Sequence, residues 1–296
     1  MAGLLTVAAW AVAAVVAAPQ ISAPAPPADR FVTVDGLRLH YVDWGGADKP
    51  PLVLVHGLDR VARTFDHVVP HFTSRFRVIA YDMRGHGDSG WDPQGRYLVE
   101  DHVRDLEGLV QQLGLRNITA WGNSTGGRVV QVFAGLHPDL VRAVIAEDVG
   151  PDRPRSIADN YARQVTRDAN GWASEDELLA VVRKANTGIE DTVLRAWVRF
   201  GTKRRDDGRL VWKRDPNLVK GFVETDLWRF VRNIQAPIIY VLGGRSTIVG
   251  LETQDQLKNT LPRVAVMTMP GLGHYPSHER PAEFLALVDR FLQGVD

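Results

Sequence analysis

The sequence predicts an α/β fold: a mostly parallel central sheet flanked by helices, interrupted by a helical insertion. Three observations carry this. From Phe31 onward, short β-rich runs alternate with stretches of helical period, the pattern of βαβ units. A β-rich run passes directly into a helix at Gly122-Asn123-Ser124-Thr125-Gly126. Residues 151–235 then break the alternation, with helical stretches and two Asn-Gly or Asp-Gly turns but no convincing strand.

Each element has its own signal. Phe31–Val34 and Leu37–Val42 flank Asp35-Gly36, a hairpin turn. Pro51–His56, Phe76–Tyr81, Ile118–Trp121 and Val141–Glu147 are β-rich runs that end at turn or polar residues. Leu98–Leu113 places Val103, Leu106, Leu109, Val110 and Leu113 on one side of a helix. After the insertion, Pro237–Leu242 and Val264–Met269 read as strands and Pro281–Leu292 as a closing helix. The core is therefore expected in residues 30–150 and 236–296. Residues 151–235 form a lid over the carboxyl edge of the sheet, where ligands bind in open α/β sheets.

Composition narrows the function. The chain has 296 residues, of which 45% are hydrophobic and 24% charged, enough to bury a sizeable core. Lys plus Arg and Asp plus Glu both number 35, so no net field attracts polyanions and a nucleic-acid partner is not expected. The absence of cysteine removes disulfides, thiolate nucleophiles and thiolate-bound metals. Most of the nine His lie singly among turn residues, and neither a metal nor a cofactor is expected. The expected partner is a small-molecule substrate, and the pattern is compatible with a monomer or a homo-oligomer.

The N-terminal segment, residues 1–29, stands apart. Ala2–Ala18 carry no charge, Ile21–Ala28 are mostly small residues and prolines, and the first basic residue is Arg30. This resembles the core and cleavage region of a secretory signal without the usual preceding basic residues, and the apolar run approaches the length of a membrane span. Export or membrane tethering through residues 1–29 is the expectation. The alternative is translation from an upstream start codon, which leaves the protein cytoplasmic.

The chemistry centres on Ser124. A nucleophile on a sharp strand-to-helix turn projects its hydroxyl above the sheet, and Gly122 and Gly126 remove side chains that would collide there. The following helix adds a positive dipole end, and the amide of Thr125 can face a developing oxyanion. Gly-x-Ser-x-Gly alone arises by chance, but here it has company. Leu52–Val55 ends in His56-Gly57-Leu58, where Gly57 lies beside the expected pocket and the Leu58 amide is a second oxyanion donor. Asp82-Met83-Arg84-Gly85-His86-Gly87-Asp88-Ser89 follows the next strand, and Gly271-Leu272-Gly273-His274-Tyr275-Pro276 precedes the last helix.

Those four signals, in that order, resemble the α/β-hydrolase family across residues 31–295. The resemblance implies Ser124 as nucleophile, His274 as general base, Leu58 and Thr125 as oxyanion donors, and the Asp82–Ser89 loop as a structural turn. It also assigns His56 and His86 to loop structure, while Glu279 reads as a surface or loop-bonding carboxylate. One departure matters. Most relatives place the triad acid in a Gly-x-x-Asp pattern after the strand that here reads Pro237–Leu242, whereas this chain has Gly243-Gly244-Arg245-Ser246, with no carboxylate before Glu252 on the following helix. The neighbouring strand Val141–Glu147 ends on the same edge, so Asp148 is the candidate acid. Some haloalkane dehalogenases and the zearalenone lactonases look similar in this respect. Glu147 is the fallback, but adjacent strand residues face opposite sides, so only one of the two can reach His274.

A Ser–His–acid unit with an oxyanion hole transfers acyl groups to water, so the expected substrate is an ester, lactone, thioester or amide. A serine nucleophile argues against epoxide hydrolase and haloalkane dehalogenase chemistry, which needs an aspartate there. The insertion carries Trp172, Trp197, Trp212 and Trp228, half of the eight tryptophans. These are candidate substrate-binding residues and suggest a bulky apolar or aromatic ester or lactone. Two alternatives stay open: a carbon–carbon bond hydrolase of the meta-cleavage type, and a hydrolase-like binding protein without turnover.

Overall fold

The computed structural model describes residues 27–295. Its centre is an eight-stranded sheet. The strands are β1 (Ala28–Val34), β2 (Leu37–Asp43), β3 (Pro51–Val55), β4 (Arg77–Tyr81), β5 (Ile118–Asn123), β6 (Val141–Glu147), β7 (Ile238–Gly243) and β8 (Val264–Met269). Their order is β1-β2-β4-β3-β5-β6-β7-β8. The β1–β2 hairpin turns at Asp35-Gly36 and pairs antiparallel onto β4, and all other neighbours are parallel. Because β1 begins at Ala28, the boundary drawn after residue 29 moves back: Ala28 and Asp29 belong to the sheet, paired with Asp43 and Val42. The apolar run of residues 1–26 lies outside the described residues.

Every residue of β3, β5 and β7 is buried, as expected of parallel strands covered on both faces. On one face pack α1 (Val99–Gln112) and α2 (Thr125–Leu136), through Val103, Leu106, Leu109, Val129 and Phe133. On the other pack Phe284, Val288 and Leu292 of the closing helix (Pro281–Gln293), with Phe65, Phe72 and Trp121. The period of two along β6 sends Val144 and Ala146 to the first face and Ala143 and Ile145 to the second.

The insertion holds α3 (Arg155–Asp168), α4 (Glu175–Ala185) and α5 (Asp191–Gly201). Helix α4 begins at a Ser174 cap that accepts the Glu177 amide at 3.1 Å, has acids in its first turn and bases in its last, as the dipole favours. The expectation of no strands in this region needs correction. Asp152–Arg153 pairs with Thr225–Asp226, tying the two ends of the insertion together, and Thr202–Arg204 pairs with Leu210–Trp212 across Asp207-Gly208. Two- and three-residue strands are too short to leave a periodic signal. The insertion has its own apolar core, built on Trp172, Leu178, Leu194, Trp197 and Leu210.

Candidate active site

Ser124 stands between β5 and α2 with φ 53° and ψ −119°, a backbone conformation that L side chains rarely adopt. Its amide donates to the Glu147 carbonyl at 3.0 Å, pinning the turn to the end of β6. The turn tolerates no side chain behind it: a Cβ on Gly126 would lie 2.1 Å from the Val55 carbonyl oxygen. Thr125 is the first residue of α2, whose amide has no intrahelical acceptor. Leu58 lines a cavity of about 430 Å³ together with Ser124 and His274.

Asp148 follows β6 directly, is 1% exposed and takes φ 45°. Its Oδ2 lies 2.5 Å from His274 Nδ1 and accepts Ser246 Oγ–H at 2.6 Å, while Oδ1 accepts the Gly243 amide at 2.9 Å. Ser246 occupies the fourth position of the Gly-x-x-Asp pattern, and its hydroxyl reaches the carboxylate that comes from the neighbouring strand. Glu147 continues the alternation of β6 to the opposite side. Its Oε2 accepts Trp121 Nε1–H at 3.0 Å and its Oε1 the Ser277 amide at 2.8 Å, and burial pushes its carboxyl up to about 7 against the effect of those donors. Ser124, His274 and Asp148 thus meet at one edge, and Glu147 braces the turn after His274 from below.

The histidine loop is held from several directions. Glu279 accepts the Gly273 amide through both oxygens at 2.9 Å, so it bonds the loop, and Arg245 pairs with it at 3.3 Å. Asn123 Nδ2 donates to the His274 carbonyl at 3.4 Å. His56 is buried and its pKa is depressed to about 3 by burial; its Nε2 accepts the Met83 amide at 3.0 Å and its Nδ1 donates to the Gly57 carbonyl at 2.6 Å. It therefore ties the Leu58 loop to the turn after β4. In that turn, Asp82 accepts the Ala62 and Asp88 amides at 2.6 and 2.9 Å and bonds His40 Nδ1 at 2.7 Å.

Of the four tryptophans, Trp172 and Trp212 line the cavity. The other two need correction. Trp197 lies in the insertion's own core, its ring edge-on to Tyr275 and His278, and Trp228 packs on the α1/α2 face with Nε1 donating to Asp152 at 3.0 Å. Gly57 is not among the residues lining the cavity, and an added Cβ there would meet Asn123 Oδ1 at 2.8 Å and Ser124 Cβ at 3.1 Å, so the glycine allows the close approach of two loops. Tyr161, an aromatic of the insertion, also lines the cavity, whereas Asp59, Arg60, Gln164 and Tyr275 on its wall are not among the candidates that the sequence singles out. Only Asp59, Arg60 and Tyr275 had a usable signal, their adjacency to Leu58 and His274.

Residues 50–281 match the family described as alpha/beta hydrolase fold. This chain belongs to the α/β-hydrolase fold family. Its relatives include a 3-hydroxybutyrate-oligomer hydrolase of Cupriavidus necator, 28% identical over 87% of this chain and 93% of that one. A mouse sn-1-specific diacylglycerol lipase, ABHD11, is 26% identical over 84% of this chain and 82% of the lipase. Among solved structures, E-2-(acetamidomethylene)succinate hydrolase superposes on this α/β hydrolase with a TM-score of 0.82 at 24% identity, covering 90% of this chain and 100% of that one, which places the shared fold.

Proposed function

We propose that this α/β hydrolase is a serine carboxylic-ester hydrolase working through an acyl-enzyme. Ser124 Oγ attacks the ester carbonyl as His274 takes its proton, and the Leu58 and Thr125 amides face the oxyanion. Asp148 holds the imidazole in the tautomer with hydrogen on Nδ1 and stabilises the imidazolium. The imidazolium then gives its proton to the departing alcohol, and a water molecule, activated in the same way, releases the acid. The single observation that supports this reading is the 2.5 Å contact between Asp148 and His274 at the edge where Ser124 is held strained. Curated relatives named as an oligomer hydrolase and a lipase are in keeping with it.

Trp172, Trp212, Tyr161, Ile157 and Phe222 give the cavity bulky apolar walls, which suit an ester or lactone with a large apolar or aromatic portion. The non-catalytic alternative rested on the acid lacking at position 246, and Asp148, 2.5 Å from His274, is placed to serve in its stead. No observation favours the carbon–carbon hydrolase reading. For residues 1–29 the proposal remains export or membrane tethering; among the described residues no helix is long and apolar enough to cross a membrane.

A chromogenic aryl ester tests the chemistry. The wild-type protein should give a burst of product and a mass increase of one acyl group on the peptide containing Ser124, and Ser124→Ala should give neither. Turnover by Ser124→Ala at the wild-type rate would refute the mechanism.

A further inference from the structure

The cavity is lined by two aspartates, Asp59 and Asp168, and two arginines, Arg60 and Arg167, which are not equally paired. Both aspartates are fully engaged. Asp59 Oδ1 accepts Tyr161 O–H at 3.0 Å, and its Oδ2 accepts Gln164 at 2.9 Å and sits 2.5 Å from Arg214. Asp168 receives Arg214 at 3.1 Å and Arg167 at 3.0 Å. Arg60, on the same wall, is different. Among the described residues no carboxylate pairs with it: Nη1 donates to the Asp59 carbonyl at 3.0 Å, and Nε is buried without a partner. Its guanidinium lies 3.8 Å from the Trp197 ring centroid and 5.0 Å from that of Tyr275. Arg214 and Arg167 thus take up both of these carboxylates, and Arg60 is left without one among the described residues.

Arg60 is also placed to matter. It follows the candidate oxyanion donor Leu58 by two residues, and Tyr275, which it touches, follows His274 directly. A half-buried guanidinium held by aromatic faces is pre-organised, and its planar fork of donors matches a carboxylate in two-point geometry. Nε is closed off from the cavity, so a ligand acceptor meets the guanidinium at its Nη side, where among the described residues the Asp59 carbonyl is bound and no carboxylate is.

We propose that Arg60 binds a carboxylate of the substrate, so that the preferred substrates are esters whose acyl or alcohol chain ends in an acid group a few bonds from the scissile carbonyl. The inference rests on the ester-hydrolase reading above: the chain lies along the apolar walls, and its acidic end meets the unpaired cation.

The experiment compares kcat/KM for monoethyl adipate, its neutral analogue ethyl hexanoate, and an ethyl ester of similar length ending in trimethylammonium. The wild-type enzyme should favour the acid, then the neutral ester, then the cation. Arg60→Gln should lower the ratio of acid to neutral ester roughly ten- to a hundredfold, mainly through KM, and Arg60→Lys should recover part of it. A wild-type preference for the neutral or cationic ester would overturn the proposal, as would an equal loss on acid and neutral esters in Arg60→Gln. Should Arg60→Gln fail to fold, the order of the three esters on the wild type and on Arg60→Lys still decides. Calorimetric titration of monoethyl adipate into Ser124→Ala separates this inference from the mechanism. Binding that weakens when Arg60→Gln is added supports it even without turnover, whereas turnover without any effect of Arg60 on binding contradicts it and leaves the serine mechanism standing.

Discussion

Asp148 accepts three hydrogen bonds, from His274, Ser246 and the Gly243 amide, and each partner tests a different part of its role. Ser124→Ala and His274→Ala should each abolish ester turnover, with the double variant no slower than either alone, because nucleophile and base act as one unit. Ser246→Ala removes one of three donors and none of the charge, so its kcat should fall by no more than about tenfold, near the ~1 kcal/mol of an ordinary hydrogen bond. Glu147 makes a separate prediction about stability. Its folded carboxyl is raised to about 7 from an ordinary 4.5 by burial, so between those values the folded state holds a proton that the unfolded state has lost. Stability must therefore fall as pH rises through that window. The loss is roughly 3 kcal/mol at its full extent, since every tenfold change in proton affinity is worth about 1.4 kcal/mol. Glu147→Gln should flatten this slope when denaturant midpoints are compared at pH 5 and pH 8, and a variant as pH-dependent as wild type would show that the carboxyl is not the source.

At the scale of elements, the parallel strands and the strand–turn–helix at Ser124 were legible because their signals are local: β-rich runs, a helical period, and glycines where backbones nearly touch. The contact of Asp148 with His274 was legible by exclusion, since position 246 lacks a carboxylate and β6 ends beside β7. The cavity walls were not. Trp172 and Trp212 face the cavity while Trp197 and Trp228 do not, and the difference lies in how the insertion packs on the sheet. Arg60 was legible only as a near neighbour of Leu58; its lack of a carboxylate partner among the described residues depends on packing and was not legible. The insertion's separate core predicts separate behaviour. Leu178 is fully buried within it, so Leu178→Ala should cost about 2–5 kcal/mol there. Limited proteolysis should then cut within residues 170–210 faster than in wild type, while the sheet stays protected. Cleavage at an unchanged rate would mean that the insertion and the sheet unfold as one unit.

For the whole molecule, the structure divides the chain at Ala28, where β1 begins. A protein starting at Pro27 should fold and hydrolyse esters as the full chain does. One starting at Leu37 loses β1 and leaves β2 as an unpaired edge, so it should be less stable and prone to association. The export proposal predicts that the native host carries the protein outside the cytoplasm or on its membrane. Recovery of the intact, full-length chain solely from the cytosol would contradict it.

The central claim is that Ser124, His274 and Asp148 form one catalytic unit with its acid at the end of β6. Its most direct test is the rate at which a fluorophosphonate modifies Ser124 in the wild type and in Asp148→Asn. The substitution keeps the shape but favours the wrong imidazole tautomer, and if the serine-protease precedent transfers, it slows reaction by on the order of 10⁴. Rapid, single-site labelling of Ser124 is expected in the wild type, with a loss approaching that size in Asp148→Asn. Labelling of Asp148→Asn at the wild-type rate, with Glu147→Gln unreactive instead, would contradict it.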